Sequence, residues 1–276
     1  MSALLTAVLV LGQVAAPDHA EAEFAKAQQK KWEAFYRTEA ASYTISLSGD
    51  PTKALKLRPE PVLQWSNPVR GGETNGLVFV WTHQGRVEVV GTVFSHLATD
   101  DPQQRFIAHS FHSLSLQPLA AERRESKAWS IQVPGLKPEP IPGAPMPAKS
   151  AALRLAQMRD LAREFSAATT SLENVEQELR LLPQPLYRFE SESAEAIDGA
   201  LFTFVTGTDP ELMLLLEARP TRDGPAWHFG AGRFTDLALK LRYKEDVLWT
   251  YERGLTDNST TPYLSRRTEL RPRVLP

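Results

Sequence analysis

Asn75-Gly76-Leu77-Val78-Phe79-Val80-Trp81 has a counterpart 123 residues further along the chain, Asp198-Gly199-Ala200-Leu201-Phe202-Thr203-Phe204. In each stretch a glycine precedes a run of apolar and aromatic residues, a composition typical of a buried β-strand. The same spacing relates four further pairs of apolar residues: Leu63 and Leu186, Phe111 and Phe234, Leu114 and Leu237, and Leu116 and Leu239. One constant spacing over separated segments predicts an internal duplication.

The order of secondary-structure signals also repeats along the chain. A capping-box pattern at Asp18 and Glu21 opens one predicted amphipathic helix, and a second is predicted over about 150–169. Closely spaced strand signals follow each helix, and His83-Gln84-Gly85-Arg86 is typical of a hairpin turn. The sequence therefore predicts an α+β fold of two similar halves, each an amphipathic helix packed on an antiparallel sheet. The cystatin-like and NTF2-like architectures are its closest analogies.

Six prolines between positions 134 and 147 mark the best domain boundary, because they disfavour regular helix and sheet. We therefore expect a signal peptide over 1–16, a first α+β repeat over 17–133, a Pro-rich linker over 134–149 and a second repeat over 150–276. The last residues, which include Arg266, Arg267, Arg271 and Arg273, form a basic C-terminal tail that we expect to be mobile.

The first residues carry the prediction of localisation. Ala3 to Gly12 is an apolar run broken only by Thr6, and Val14-Ala15-Ala16 supplies small residues at a cleavage position. The run is too short to span a membrane, which takes about 20 apolar residues. The pattern predicts an exported protein, periplasmic or extracellular, although a buried first strand or helix would also fit it. No later stretch is apolar enough to predict a transmembrane segment.

Composition restricts the classes of partner and cofactor. The 276 residues carry a formal net charge of −2 and form no basic stripe with interleaved aromatic residues, so we expect no nucleic-acid partner. The chain has no cysteine, which excludes disulfides, thiol nucleophiles and cysteine zinc sites. No motif for a cofactor is present, and we expect none.

Catalytic motifs are missing, which favours a protein that is not an enzyme. The sequence has no Gly-x-Ser-x-Gly and no His-Glu-x-x-His. His109 and His112 lie three apart on a predicted strand, so they point to opposite faces and cannot share one metal ion. The sequence thus predicts no metal site, with a pair formed by His96 and His112 on neighbouring strands as the open alternative.

Aromatic and histidine side chains are the best candidates for binding. Most of the six tryptophans fall in predicted strands and belong to the core, but one or two on a concave sheet face would form a platform for a ligand. The candidate binding residues are His83, His96, His112, Trp65 and Trp81.

Several stretches resemble an uncharacterised family of exported proteins from planctomycete-type bacteria. The resemblance covers both halves and implies no known activity, so it assigns no functional residue. The stretches that carry it are Leu63-Gln64-Trp65-Ser66-Asn67-Pro68-Val69-Arg70, Phe111-His112-Ser113-Leu114-Ser115, Pro142-Gly143-Ala144-Pro145, Arg159-Asp160-Leu161-Ala162-Arg163-Glu164-Phe165, Leu181-Leu182-Pro183-Gln184-Pro185-Leu186-Tyr187-Arg188 and Gly207-Thr208-Asp209-Pro210-Glu211.

Two functional hypotheses follow from the sequence. The first is an exported, non-catalytic module that binds a ligand or a protein partner on its antiparallel sheets. The second is a hydrolase whose site is assembled from dispersed histidines and carboxylates, with His83, His96 or His112 as the general base. The surroundings of His112 distinguish them: a His112 that opens into a cleft with a carboxylate within hydrogen-bond reach favours the enzyme, whereas a His112 that packs under Leu114 and Leu116 with a backbone partner disfavours it.

Overall fold

The structure is a computed structural model that describes residues 19–67, 73–192, 195–254 and 259–276. The signal peptide predicted over 1–16 lies outside these residues. The described residues form two α-helices, α1 (His19–Ala41) and α2 (Ala151–Arg163). The strands in chain order are β1 (Tyr43–Leu47), β2 (Lys56–Leu57), β3 (Leu63–Asn67), β4 (Thr74–His83), β5 (Arg86–Leu97), β6 (Gln104–Ser113), β7 (Leu119–Arg123), β8 (Ser126–Ile131), β9 (Glu139–Pro140), β10 (Phe165–Thr170), β11 (Glu176–Leu181), β12 (Tyr187–Glu190), β13 (Asp198–Thr206), β14 (Asp209–Thr221), β15 (Gly224–Arg233), β16 (Ala238–Tyr243), β17 (Asp246–Tyr251) and β18 (Tyr263–Pro272).

The strands form three antiparallel sheets. In the first region of the chain, residues 19–131, a three-stranded sheet β1-β7-β8 lies beside a six-stranded sheet β18-β6-β5-β4-β2 with β3 on β4. In the second region, residues 139–251, the nine-stranded sheet has the order β17-β16-β10-β11-β13-β14-β15-β9, with β12 on β13. The strand β18 comes from the end of the chain but belongs to the sheet of the first region.

The pairing order of the first region recurs in the second. Strand β7 pairs with β1 and β8, and β16 pairs with β10 and β17. The meander β3-β4-β5-β6 has the same pairings as β12-β13-β14-β15. A common ancestral unit for the two regions stays a prediction.

Three buried clusters hold the molecule together. A first core lies between α1 and the sheets of the first region, and a second core lies between α2 and the curled nine-stranded sheet. A central core joins the two regions and includes Val78 and Val80 of β4 with Leu201 of β13 and Leu215 of β14. Residues 77–81 of β4 therefore alternate between two buried environments, which explains their continuous apolar run.

The predicted α+β class with two helix-on-sheet halves is wrong. Strands account for 52% of the described residues and helices for 16%, so the fold is mostly β. The physical reason is that β4 and β13 are apolar on both faces. A helix can cover only one of those faces, and the other packs against the sheet of the opposite region in the central core.

Several local predictions can be compared with the structure. The hairpin turn at His83–Arg86 is confirmed, with Gln84 and Gly85 at φ values of 48° and 80° between β4 and β5. The second helix does not extend to 169, because α2 ends at Arg163 and β10 begins at Phe165. The basic tail is not loose, because residues 263–272 form β18. The domain limits stay predictions.

A buried ion cluster links the two regions. The Arg86 Nε of β5 donates to Glu217 Oε1 of β14 at 2.7 Å, and Arg86 Nη1 donates to Glu88 Oε1 at 3.1 Å. The guanidinium also donates to the backbone oxygens of Val87 and Leu114. A buried charge needs such a full set of partners, so the cluster fixes the relative position of β5 and β14.

Candidate ligand-binding site

An open-mouthed cavity of about 570 Å³ lies where the sheet of the second region stays open. Strand β9 pairs with β15 only at His228 and Phe229, so the end of β15 at Ala231 and Arg233 has no β9 neighbour. We call this space the aromatic cavity. It is lined by His112, Gly135, Ala231, Arg233, Trp249, Tyr251, Thr261, Pro262 and Tyr263.

Arg233 is held between two tyrosine rings at this cavity. Its guanidinium carbon lies 3.9 Å from the ring centroid of Tyr251 and 4.0 Å from that of Tyr263. Such contacts stabilise the cation through the quadrupoles of the rings. The rings cover its two faces, so only the N–H edges of the guanidinium can bind other groups.

One part of that edge is already used. Arg233 Nη1 donates to Thr235 O at 2.7 Å and to Asp236 Oδ1 at 3.3 Å. In the described part of the chain, the hydrogen bonds of this guanidinium involve Nη1 alone. The Nε and Nη2 groups therefore keep donors for an acceptor in the cavity.

Trp249 extends the aromatic wall. Its ring stacks on Tyr251 with a centroid separation of 6.5 Å and an interplanar angle of 18°. Trp249 and Tyr251 are partly exposed, whereas Tyr263 is buried. The wall presents an apolar surface for the body of a ligand next to the cationic edge of Arg233.

His112 contributes a neutral polar group. Its Nδ1 accepts the backbone N–H of Arg233 at 3.2 Å. Burial, with a further contribution from the charge of Arg233, lowers the pKa of His112 to about 3. The imidazole is neutral at neutral pH, and since Nδ1 is the acceptor, the proton resides on Nε2 and makes it a donor.

The backbone at Gly232 makes room for this ring. A Cβ at that position would lie 2.8 Å from His112 Cδ2, closer than carbon atoms tolerate. The glycine thus permits the close approach of β15 to His112 of β6.

The structure does not bring the five predicted binding residues together. His112 lines the aromatic cavity and has a backbone partner but no carboxylate in the lining, so it meets one part of each expected arrangement. His83 ends β4 at the hairpin, and His96 on β5 contacts the Leu97 carbonyl through Nδ1 at 3.0 Å. Trp81 is 1% exposed within the first core, so it cannot form a ligand platform.

Trp65 lines a different concave region, a cleft of about 650 Å³ beside α1. The indole Nε1 donates to Thr92 Oγ1 at 3.0 Å, and the side chain is buried. The buried cation of this cleft, Arg105, donates to Ser95 Oγ at 2.8 Å and to the Glu73 carboxylate at 3.3 Å. All three nitrogens of the Arg105 guanidinium donate within the fold, whereas among the described residues Arg233 uses only Nη1, so the cleft is a weaker candidate than the aromatic cavity.

Sequence reasoning missed Arg233, Tyr251 and Tyr263. In the sequence, Arg233 directly follows Gly230-Ala231-Gly232 on a largely apolar strand, which is an unusual place for an arginine. That arginine was the one available signal. Tyr263 belongs to the site because it pairs with His112 across β18 and β6. These two residues are far apart in the sequence, so no local pattern predicts their pairing.

A second histidine lies in a polar cluster inside the first region. The Tyr43 hydroxyl and His109 Nδ1 are 2.7 Å apart, and His109 Nε2 lies 3.6 Å from Glu39 Oε2. Burial lowers the pKa of His109 to about 3 and raises that of Tyr43 to about 12. All three side chains are buried, so the cluster cannot reach a substrate and serves the fold.

Comparisons with known proteins add no information about the site. Searches against protein-family models, curated proteins and solved structures found no match. Across the described ranges, no group of three or more histidine, aspartate or glutamate side chains is placed to hold a metal ion. Neither α1 nor α2 combines the length and apolar character needed to cross a membrane.

Proposed function

We propose that the protein is an exported, non-catalytic binding protein for a small amphipathic carboxylate. The observation that carries the proposal is the guanidinium of Arg233, held between Tyr251 and Tyr263 at the mouth of an open cavity. Support for export comes from the apolar run Ala3 to Gly12 and the small residues that follow it.

The chemistry of the cavity indicates the class of ligand. Free N–H groups of Arg233 and the Nε2–H of His112 are donors, which suit an anionic oxygen pair. A carboxylate matches the planar fork of a guanidinium, and charge-assisted hydrogen bonds of this kind are among the strongest in proteins. The rings of Trp249, Tyr251 and Tyr263 suit an apolar or aromatic body.

The same geometry gives the hydrolase less support. A general base works best with a pKa near the working pH, whereas the pKa of His112 is about 3. Its Nδ1 is occupied by a backbone N–H, and the cavity lining contains no carboxylate side chain. Binding needs only a neutral donor at Nε2, which His112 supplies.

Calorimetric titration tests the proposal with octanoate and naphthalene-2-carboxylate as probes. We expect saturable binding of the carboxylates and at least tenfold weaker binding of octan-1-ol, which has the same chain length without the charge. Arg233→Met should weaken carboxylate binding at least tenfold, because it removes a charge-assisted hydrogen bond of about 1.5–3 kcal/mol.

Arg222→Met is the matched control, since Arg222 is an exposed arginine in the β14–β15 turn. A second variant, Ala231→Leu, narrows the cavity without touching a charge and should weaken octanoate binding. Equal affinities for octanoate and octan-1-ol, or equal effects of the two arginine variants, would overturn the proposal.

A further inference from the structure

A small basic pocket lies on the first region, where the edges of β8 and β18 meet. Its volume is about 240 Å³. Arg266 of β18 donates through Nη2 to the Ala128 carbonyl of β8, which holds the two edges together. The pocket is lined by Arg123, Ser126, Lys127, Ala128, Arg266, Arg267 and Thr268.

Positive charge in this pocket exceeds the negative charge available to it. Arg123 and Arg124 both donate to the carboxylate of the buried Glu39. Among the described residues, neither Lys127 nor Arg266 forms an ion pair with a carboxylate. Arg123 and Arg124 therefore share one buried carboxylate, while Lys127 and Arg266 add positive charge to the pocket without a carboxylate partner.

Other nearby acidic side chains do not compensate this excess. Glu122 lies opposite Lys127 in the β7–β8 pairing and Glu125 lies in the β7–β8 turn, but both carboxylates are exposed, and within the described residues neither forms an ion pair. Glu269 of β18 binds Arg271 at 3.0 Å. The Arg267 guanidinium has a partner within the fold as well, because its carbon lies 4.8 Å from the centroid of the Phe106 ring.

The arginine side chains are preorganised rather than free. Arg123 is fixed by Glu39 and lies 5.9 Å over the ring of Tyr43, and its Nε is buried without a hydrogen-bond partner in the described part of the chain. The hydroxyl group of Ser126 adds a neutral donor to the lining, whereas that of Thr268 already donates to the Ile107 carbonyl.

We infer that this basic pocket binds a tetrahedral oxyanion of the phosphate class, held by Arg123, Lys127 and Arg266. The size of the pocket admits one such group, and guanidinium forks match its oxygens. The group is either inorganic phosphate or the phosphate of a lipid headgroup, since both present the same oxygens. This inference uses no residue of the aromatic cavity and stands independently of the carboxylate proposal.

Phosphate titration of the full chain at constant ionic strength, with chloride as the reference anion, tests the inference. We expect saturable binding of inorganic phosphate and a phosphate-dependent rise in Tm. Arg266→Gln should weaken binding at least tenfold, and Lys127→Ala about threefold, while Arg163→Gln, an exposed arginine of α2, should leave it unchanged. Lys127 is exposed and its loss does not threaten folding.

Vesicles distinguish the two sources of the phosphate group. Co-sedimentation with phosphatidylglycerol vesicles but not with phosphatidylcholine vesicles, lost in Lys127→Ala, would support a headgroup site. Phosphate binding without vesicle binding would support the free anion. A titration in which phosphate and chloride act alike, or in which Lys127→Ala and Arg163→Gln match the unsubstituted protein, would overturn the inference.

Discussion

The two regions of the molecule differ in how their sheets are completed. In the first region, β18 pairs along β6 from Gln104 to His112 and contacts β8 through Arg266. In the second region, β9 pairs with β15 at two residues only, and the remaining gap is the aromatic cavity. One full-length added strand thus turns the open edge of such a sheet into core, whereas a two-residue strand leaves a space large enough for a ligand.

Two tryptophans at equivalent positions of the two regions show this difference. Trp129 of β8 lies opposite Ala121, and Trp249 of β17 lies opposite Leu241, and each pairing has a register shift directly after that position. Trp129 is 1% exposed and donates to the Thr261 carbonyl at 2.8 Å. Trp249 is partly exposed at the aromatic cavity.

The largest expected effect comes from truncating these two side chains. Trp129→Ala should lower the free energy of unfolding by about 3–5 kcal/mol, because it empties a filled core. Trp249→Ala should lower it by about 1 kcal/mol, since that ring already faces open space. Urea unfolding of both variants measures the difference, and equal losses would contradict the comparison.

A smaller effect should follow from weakening the strand that closes the first region. Leu264 of β18 is fully buried in the first core, so Leu264→Ala should cost about 2–4 kcal/mol. Leu270 on the same strand is 46% exposed, and Leu270→Ala should cost less than about 0.5 kcal/mol. Similar urea midpoints for the two variants would show that β18 does not complete a core.

The smallest expected effect is a dependence of the unfolding free energy on pH. It arises from two buried histidines, His109 in the first region and His112 at the aromatic cavity. Both have folded pKa values of about 3, below the usual 6.5 of the unfolded chain. The unfolded state therefore binds more protons between these values, and stability is full above about pH 6.5 and falls as pH decreases toward 3. Each histidine should contribute a loss of about 1 kcal/mol between pH 6 and pH 5.

His112→Asn isolates one of these contributions. The amide oxygen can accept the Arg233 N–H in place of Nδ1, and the variant does not titrate. Unfolding free energies at pH 6 and pH 5 should then differ by about 1 kcal/mol less than in the unsubstituted protein. An unchanged difference would show that His112 already titrates normally in the folded state.

Local features of the fold were predictable, because their causes lie in neighbouring residues. Gln84-Gly85 permits the positive φ angles of the hairpin turn, and the glycine-led apolar runs are strands β4 and β13. The fold class was not predictable in the same way. An apolar run shows that both faces of a strand are buried, but it does not show whether a helix or another sheet covers them.

The candidate site was even less accessible to sequence reasoning. Only His112 of the predicted residues belongs to it, because the cavity is assembled from β6, β15, β17 and the start of β18. Arg266 illustrates the difficulty in the tail. The arginine-rich sequence predicts a solvated tail, yet the Arg266 guanidinium donates to the Ala128 carbonyl inside the fold.

The position of β18 also determines when the molecule can finish folding. Arg266 pairs with His109, 157 residues earlier, so the six-stranded sheet has contacts of very high sequence separation. Such contacts slow folding, because a long loop must close before they form. During synthesis the first region appears first but must wait for residues 263–272, with its β6 edge unpaired until then. We therefore expect the first region to become stable only after the second region has been made, and the period before β18 docks to be its window of exposure to aggregation and to chaperones.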